Sequence, residues 1–267
     1  LILGVAGQFS LGHAGFIAIG SYSGAILGKM MNGLPGLFAG MAVGVVISVI
    51  VAFLVGLPTL RLKGDYLAIA TLGVAEIIRV AVTNMKITNG AAGISGVPLT
   101  NTWTITYIAL VLTTILILNY TFSSAGRATY AVLQDEIAAE SMGVQVTKYK
   151  ILAFVLGAAT ASIGGTLSAT TLGAVTPSDF TFMKSIEVLI IVVFGGIGSF
   201  TGSFVAAILL GIINLVLQPF GQLRMIIYAV ALILIMIFRP GGLLGTWEFK
   251  LGDFKFSKKK ETKESGK

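Results

Sequence analysis

The sequence has no cysteine and a single histidine, His13. Without cysteine there are no disulfides and no thiolate metal sites. With one histidine besides, the nucleophile–base sets of most hydrolases cannot be assembled, and a metal centre at His13, which needs several convergent ligands, finds only Ser10 as an obvious nearby polar partner. No cofactor is expected in this chain. No Gly-x-x-x-x-Gly-Lys-Ser/Thr run occurs either, so the phosphate-cradling loop of a nucleotide-driven motor is missing. Energy for any active process has to come from a partner or from an ion gradient. Charge is scarce as well. Asp, Glu, Lys and Arg make up 11% of the 267 residues, against about 25% in a soluble domain. A surface so poor in charge does not stay in water, and an enzyme is a poor reading of the whole.

What is present is apolar. Hydrophobic residues reach 55%, mean hydropathy is +0.95, and 34 residues are glycine, which is commoner in membrane helices than in soluble ones. A membrane helix needs about 20 mostly apolar residues. Runs of that kind lie at roughly 12–30, 36–58, 66–83, 103–122, 151–172, 185–198, 202–220 and 223–238. The expected fold is therefore an all-α polytopic membrane protein with about eight apolar segments. The sixth run is too short to span alone and ends in Gly195-Gly196-Ile197-Gly198-Ser199, the pattern of a broken or re-entrant helix. Leu1 to Gly7 read as the end of an apolar segment, so an upstream helix is expected beyond the sequence. Residues 1–238 form the expected membrane domain and 239–267 a basic, flexible tail.

The net charge of +7 does not point to nucleic acid, because eight of the 18 Lys and Arg lie at or after Arg239. Basic residues beside a membrane span act as a topology signal or touch anionic lipid. With the tail in the cytoplasm and the runs alternating backwards, Arg61, Lys63, Arg127, Lys148, Lys150, Arg239 and the tail lysines fall inside. Lys29, Arg79, Lys86, Lys184 and Arg224 fall at or near the outside. The loop 84–102 is then external and the loop 123–150 internal. Small residues recur every fourth position at Gly20-Gly24-Gly28, Gly36-Gly40-Gly44, Gly157-Ala161-Gly165 and Gly198-Gly202-Ala206. Such stripes let helix backbones approach closely in lipid; they serve bundle packing, or surfaces that slide in a conformational change.

The internal loop is the longest polar connection in the body of the chain. From Arg127 to Ser141 it is rich in Ala, Leu, Gln and Glu and is expected to be one helix, stopped by Gly143. Asp135, Glu136 and Glu140 sit beside Ala131, Ala138, Ala139 and Met142. An acidic helix is a poor fit to an anionic leaflet; docking into a groove of a partner protein suits it better, with a solvated linker helix as the plainer alternative. Elsewhere, Glu76 and Arg79 lie three apart on one helix face and can pair, although an ionisable residue inside a span is a functional suspect by default. Lys184 and Glu187 have the same spacing near an interface. His13 is expected to be a hydrogen-bonded structural residue, since buried polar groups are satisfied. Its Ser10-Leu11-Gly12-His13-Ala14-Gly15 context opens a helix, where free backbone amides could face a carboxylate.

Glu136-Ile137-Ala138-Ala139-Glu140-Ser141-Met142-Gly143 resembles the acidic-Ala-Ala…Gly loop of ABC-importer permeases. The resemblance narrows to the LivM-type family of branched-chain amino-acid permeases through blocks that run in order along nearly the whole chain. These are Gly7–Phe16, Gly64-Asp65-Tyr66-Leu67-Ala68-Ile69-Ala70-Thr71-Leu72, Thr88-Asn89-Gly90-Ala91-Ala92-Gly93-Ile94, Gly195–Ser199 and Arg239-Pro240-Gly241-Gly242-Leu243-Leu244-Gly245. The chain departs from the family in lacking the usual additional N-terminal helix, and in reading Thr-Asn-Gly-Ala-Ala-Gly where Thr-Gly-Gly with an acidic residue is expected.

The resemblance implies the permease subunit of an ATP-driven importer in the plasma or inner membrane of a prokaryote. Its implied partners are a second homologous permease, two ATP-binding subunits, a soluble substrate-binding protein and the lipid bilayer. It implies coupling to the ATPase through Arg127, Asp135, Glu136, Ala138, Ala139, Glu140 and Gly143. A substrate pathway is expected along Ser10, Gly12, His13, Gly15, Thr71, Glu76, Gly195, Gly196 and Gly198. Urea, short amides or sugars are alternative cargoes, and an ion-coupled secondary transporter is the alternative class.

Overall fold

The computed structural model describes residues 1–217 together with Val230, Gly242 and Gly245. The described residues are mostly helical. Helices α1 (His13–Met30), α2 (Leu34–Thr59), α3 (Asp65–Asn84) and α4 (Trp103–Phe122) are followed by the short α5 (Ser124–Gln134) and α6 (Glu136–Ser141). Then come α7 (Val146–Leu172), α8 (Phe182–Gly195) and α9 (Phe200–Val216). Each of the first seven apolar runs is thus occupied by a helix; the eighth, 223–238, lies outside the described residues except for Val230, as does the tail except for Gly242 and Gly245. Four helices are by themselves long and apolar enough to cross a membrane, namely α2, α3, α4 and α7. The broken pair α8 and α9 makes a fifth if counted as one span.

Two compact units are present, residues 1–193 and 194–267. In the first, α1 is the hub, packed on α2, α7 and α3. It misses the hydropathy of a lone span because His13, Lys29 and its Ser and Gly residues lower it. A helix shielded by protein does not need an apolar face toward lipid.

Small residues set how closely these helices meet. A Cβ on Gly20 would collide with the Ser162 carbonyl and one on Gly165 with the Ile17 carbonyl. Gly40 packs on the backbone of Gly24, and Gly44 on Gly20 and Ser162. At that separation side chains bond across helices: Thr166 donates to the Gly20 carbonyl at 2.9 Å and Ser21 to the Gly165 carbonyl at 2.9 Å. The stripes on α1, α2 and α7 therefore serve packing, the driving force available in lipid. By contrast α4 buries only Tyr120, and α2 turns Phe38, Val46, Ile50 and Leu54 outward.

The ends of this unit are distinct. At one end the turn 60–64 meets α6 through Lys63 and Glu136 and the start of α7 through Leu60 and Ile151, and α5 packs on α6 and α7. At the other, Ile94–Ser95 pairs antiparallel with Ala174–Val175, Ile94 opposite Val175, flanked by 3-10 turns at Gly90–Ala92 and Pro177–Phe180. The loops read as internal and external thus gather at opposite ends of the long helices.

Candidate functional site

The internal loop forms two helices instead of one. Asp135 has extended backbone, ends α5 and caps α6, its Oδ1 accepting from the amides of Ile137 at 2.9 Å and Ala138 at 3.1 Å. Asp is a preferred N-cap because its side chain satisfies the free amides of a helix start, a preference that helix propensity alone does not register. Gly143, at φ +84°, ends the α6 segment as expected, with its amide on the Glu140 carbonyl at 2.9 Å and the Val144 amide on Ala139 at 3.0 Å.

Glu136 is held from two sides. Lys63, in the turn between α2 and α3, lies 3.1 Å from its Oε2, and Lys150, near the start of α7, bonds its Oε1. Lys150 is 8% exposed, and its carbonyl accepts from Gln8 Nε2 at 3.1 Å. Burial pushes the Glu136 carboxyl up, but the hydrogen bonds and charges of Lys150 and Lys63 outweigh it and hold it below its ordinary value. Ala139 is buried as an anchor, while Ile137 and Met142 are largely exposed. Arg127, Asp135, Ala138, Glu140 and Gly143 are exposed around them. Sequence reading did not single out Lys63 or Ile137. A lysine in a tight turn carries no local mark of a partner 73 residues away.

Ser10, Gly12, His13, Gly15 and Thr71 come together where α1 begins against α3. The Leu11 amide donates to Thr71 Oγ1 at 3.0 Å and the Gly12 amide to Ser10 Oγ at 3.3 Å. Gly15 lies against Ala75 and Ile78. The Ala14 amide donates to Ser185 Oγ of α8 at 3.0 Å. The expectation of open amides is thus corrected: those of Leu11, Gly12 and Ala14 are engaged by side chains, because a helix start buried without partners is costly. What remains beside them is a cavity of about 80 Å³ with Gln8, Ser10, His13 and Ser185 in its wall. Leu1, Ile2, Leu3, Val188, Leu189 and Val192 make up the rest of its wall, so it is mostly apolar with one polar side, and large enough for water.

Glu76 lies five residues beyond Thr71 on α3. Arg79 donates to it through Nε, at 3.0 Å to Oε1 and 2.9 Å to Oε2, and through Nη2. The side chains keep 45% and 29% of their exposure. A single charged residue at the centre of a membrane helix costs about 2.5–3.5 kcal/mol on insertion scales; pairing reduces this without making the pair apolar. Lys184 and Glu187 also pair, at 3.0 Å.

Gly195, Gly196 and Gly198 belong to the second compact unit. Gly196 and Gly198 have φ of +114° and +93°, a backbone that glycine adopts without steric cost. They form the break before α9, whose first turn is capped by Ser199 Oγ accepting from the Gly202 amide at 2.9 Å. Gly195 packs directly on Gly202.

Among the described residues, no group of His, Cys, Asp or Glu is placed to hold a metal ion. The family model described as "Branched-chain amino acid transport system / permease component" matches residues 1–238. The high-affinity branched-chain amino acid transport system permease protein LivM of Salmonella typhimurium is 36% identical over 91% of this chain and 65% of its own length. That of Escherichia coli K12 is 35% identical over the same shares. The chain thus spans just under two thirds of these relatives. The permease protein LivH of Escherichia coli K12 is 30% identical over 54% of this chain and 46% of its own length. No solved structure matches the chain.

Proposed function

The chain belongs to the branched-chain amino acid transport permease family, and from that premise we propose that it is the membrane-spanning, non-enzymatic subunit of an ATP-driven importer for branched-chain amino acids. Two of its relatives are named LivM and another LivH; the proposed assembly accordingly pairs this chain with a second, homologous permease. Two ATP-binding subunits and a soluble substrate-binding protein complete it. Residues 1–238 are the proposed permease domain and 239–267 a cytoplasmic tail in a prokaryotic inner membrane.

The observation that carries the mechanism is the double anchoring of Glu136. Its links to Lys63 and Lys150 tie α6 to the α2–α3 turn and to α7, while Ile137 and Met142 stay free of the chain's own core. A helix fixed at its base and apolar on its outer side suits docking into a groove. In the proposed cycle, ATP-driven movement of the partner pushes α6. The push passes through Lys150 to α7, which packs tightly on α1, and the bundle alternates between outward- and inward-open states. Arg127, Asp135, Glu136, Ala138, Ala139, Glu140 and Gly143 are the proposed coupling set. Ser10, Gly12, His13, Gly15, Thr71, Glu76, Gly195, Gly196 and Gly198 are proposed to line the pathway.

The test is leucine uptake and ATPase association in membranes carrying wild type, Glu136→Ala or Gly143→Val. Both readouts drop while membrane insertion persists. Unchanged assembly and uptake would sink the coupling role, and uptake driven by a proton or sodium gradient without ATP would sink the importer reading.

A further inference from the structure

The Glu76–Arg79 pair sits on a candidate membrane span, where charged groups turn away from lipid. The midpoint of α3 (Asp65–Asn84) falls between Val74 and Ala75, so Glu76 is within one turn of the middle of a helix that is long and apolar enough to cross the membrane. Yet its side chain keeps 45% of its exposure. Charged groups at that depth face a bundle interior or a water-filled cavity. The face of α3 that carries Glu76 must therefore be turned to water or protein.

At about 100° per residue, Tyr66, Ile69, Gly73, Glu76, Ile77 and Val80 fall within an arc of about 100°. Tyr66, Ile69, Ile77 and Val80 are 74%, 66%, 69% and 46% exposed. Gly73 has nothing within 4 Å of where its Cβ would be, which leaves a notch directly beside Glu76. Arg79 reaches over from the edge of the stripe. Its guanidinium spends Nε and one Nη2 proton on Glu76. Of five N–H donors, three remain, and among the described residues none of them has a partner. Glu76 Oε2 accepts only one of these bonds and keeps a lone pair for another donor.

We infer that this pair is a reader of zwitterions: a substrate's carboxylate docks on the free edge of Arg79, its ammonium on Glu76, and its aliphatic chain lies in the Gly73 notch against Ile69 and Ile77. The inference rests on the proposed amino-acid pathway and names the contact within it. A carboxylate and a guanidinium held side by side complement the two charges of an α-amino acid. Exchange of partners costs little, because each charge is compensated before and after binding. Neutral solutes such as urea gain nothing from such a pair. Bidentate Arg–carboxylate contact is also directional, so it fixes which way the side chain points along the helix.

The test uses the full transporter purified without its soluble binding protein, with tritiated leucine as probe. Leucine displaces the probe at least tenfold more effectively than 4-methylpentanoate, which lacks the ammonium, or 3-methylbutylamine, which lacks the carboxylate. The double variant Glu76→Gln/Arg79→Gln removes both charges at once, so it leaves no orphan ion and inserts and assembles like wild type. It loses at least tenfold in leucine affinity and no longer separates the three compounds. Arg79→Lys keeps the charge without the planar fork and is intermediate. A double variant that binds leucine within twofold of wild type overturns the proposal, as does a wild type that imports leucine in vesicles but shows no binding of the probe. Absence of leucine uptake by the wild-type transporter supplied with its binding protein instead overturns the amino-acid reading itself, so the two failures are distinguishable.

Discussion

Lys63 and Glu136 meet at 3.1 Å across 73 residues of sequence. Their contact joins the turn between the second and third helices to the small helix α6, and the buried Lys150 ammonium holds the same carboxylate from the side of α7. Three segments that touch at no other charged point are thereby made one surface.

Removing the carboxylate should loosen that surface. Glu136→Ala leaves the ammonium of Lys150, 8% exposed, without its partner, a loss on the order of 1–3 kcal/mol for an orphaned buried polar group. Lys63→Ala removes a contact whose lysine is 74% exposed and should cost under about 1 kcal/mol. Thermal unfolding of the purified protein in detergent orders the two; equal effects would contradict the geometry.

The same contact carries a pH dependence of definite sign. The Glu136 carboxyl is lowered from its ordinary value of 4.5. A carboxylate lowered on folding contributes stability that is complete above the unfolded value and lost as pH falls through the folded one. The anchoring of α6 should be intact at pH 7 and at pH 5.5, begin to weaken only below the ordinary value of 4.5, and be lost as pH falls on through the lowered folded value. Protection of Gly143 and its neighbours from proteolysis across that range reads the change, and Glu136→Gln should abolish the transition.

Close helix approach makes two adjacent glycines respond oppositely. Gly165→Ala drives a methyl into the Ile17 carbonyl and should destabilise by about 1–3 kcal/mol, the usual cost of overpacking. Gly164→Ala meets nothing within 4 Å and should be neutral or stabilise by up to about 1 kcal/mol through helix propensity. Melting temperatures of the two variants decide this, and a large loss at Gly164 would show that its face is occupied.

Ser185 holds the start of α1 from a distance. Its Oγ accepts from the Ala14 amide, and both groups are buried. Ser185→Ala strands that amide at a cost of about 1–3 kcal/mol, while Ser185→Thr keeps the acceptor and should recover most of it. Hydrogen exchange at residues 13–16 reports the loss locally, and unchanged protection in the alanine variant would remove the cap from the account.

Much of this was legible in the residues. Long apolar runs marked where helices form, four-residue glycine spacing marked which faces pack, and Gly195 to Ser199 marked a break. Each is a local pattern that acts through short-range physics in lipid. The family was legible too, because its motifs run in order along the chain. The Asp135 break was not, since Ala, Leu and Glu favour helix on both sides and only the geometry of the cap reveals the turn. Nor was the fate of the α1 amides, because Thr71 and Ser185 are ordinary polar residues until folding brings them to that helix start.

By itself, then, the sequence determined the solvent, the helices and the absence of a nucleotide-binding loop, because composition and periodicity act through short-range physics. Only the tertiary structure decided which charges meet. Glu136 lies between two lysines from different elements, and the Glu76–Arg79 pair looks out from the middle of α3. Partners far apart in sequence, and the direction a helix face points, exist only once the helices have packed.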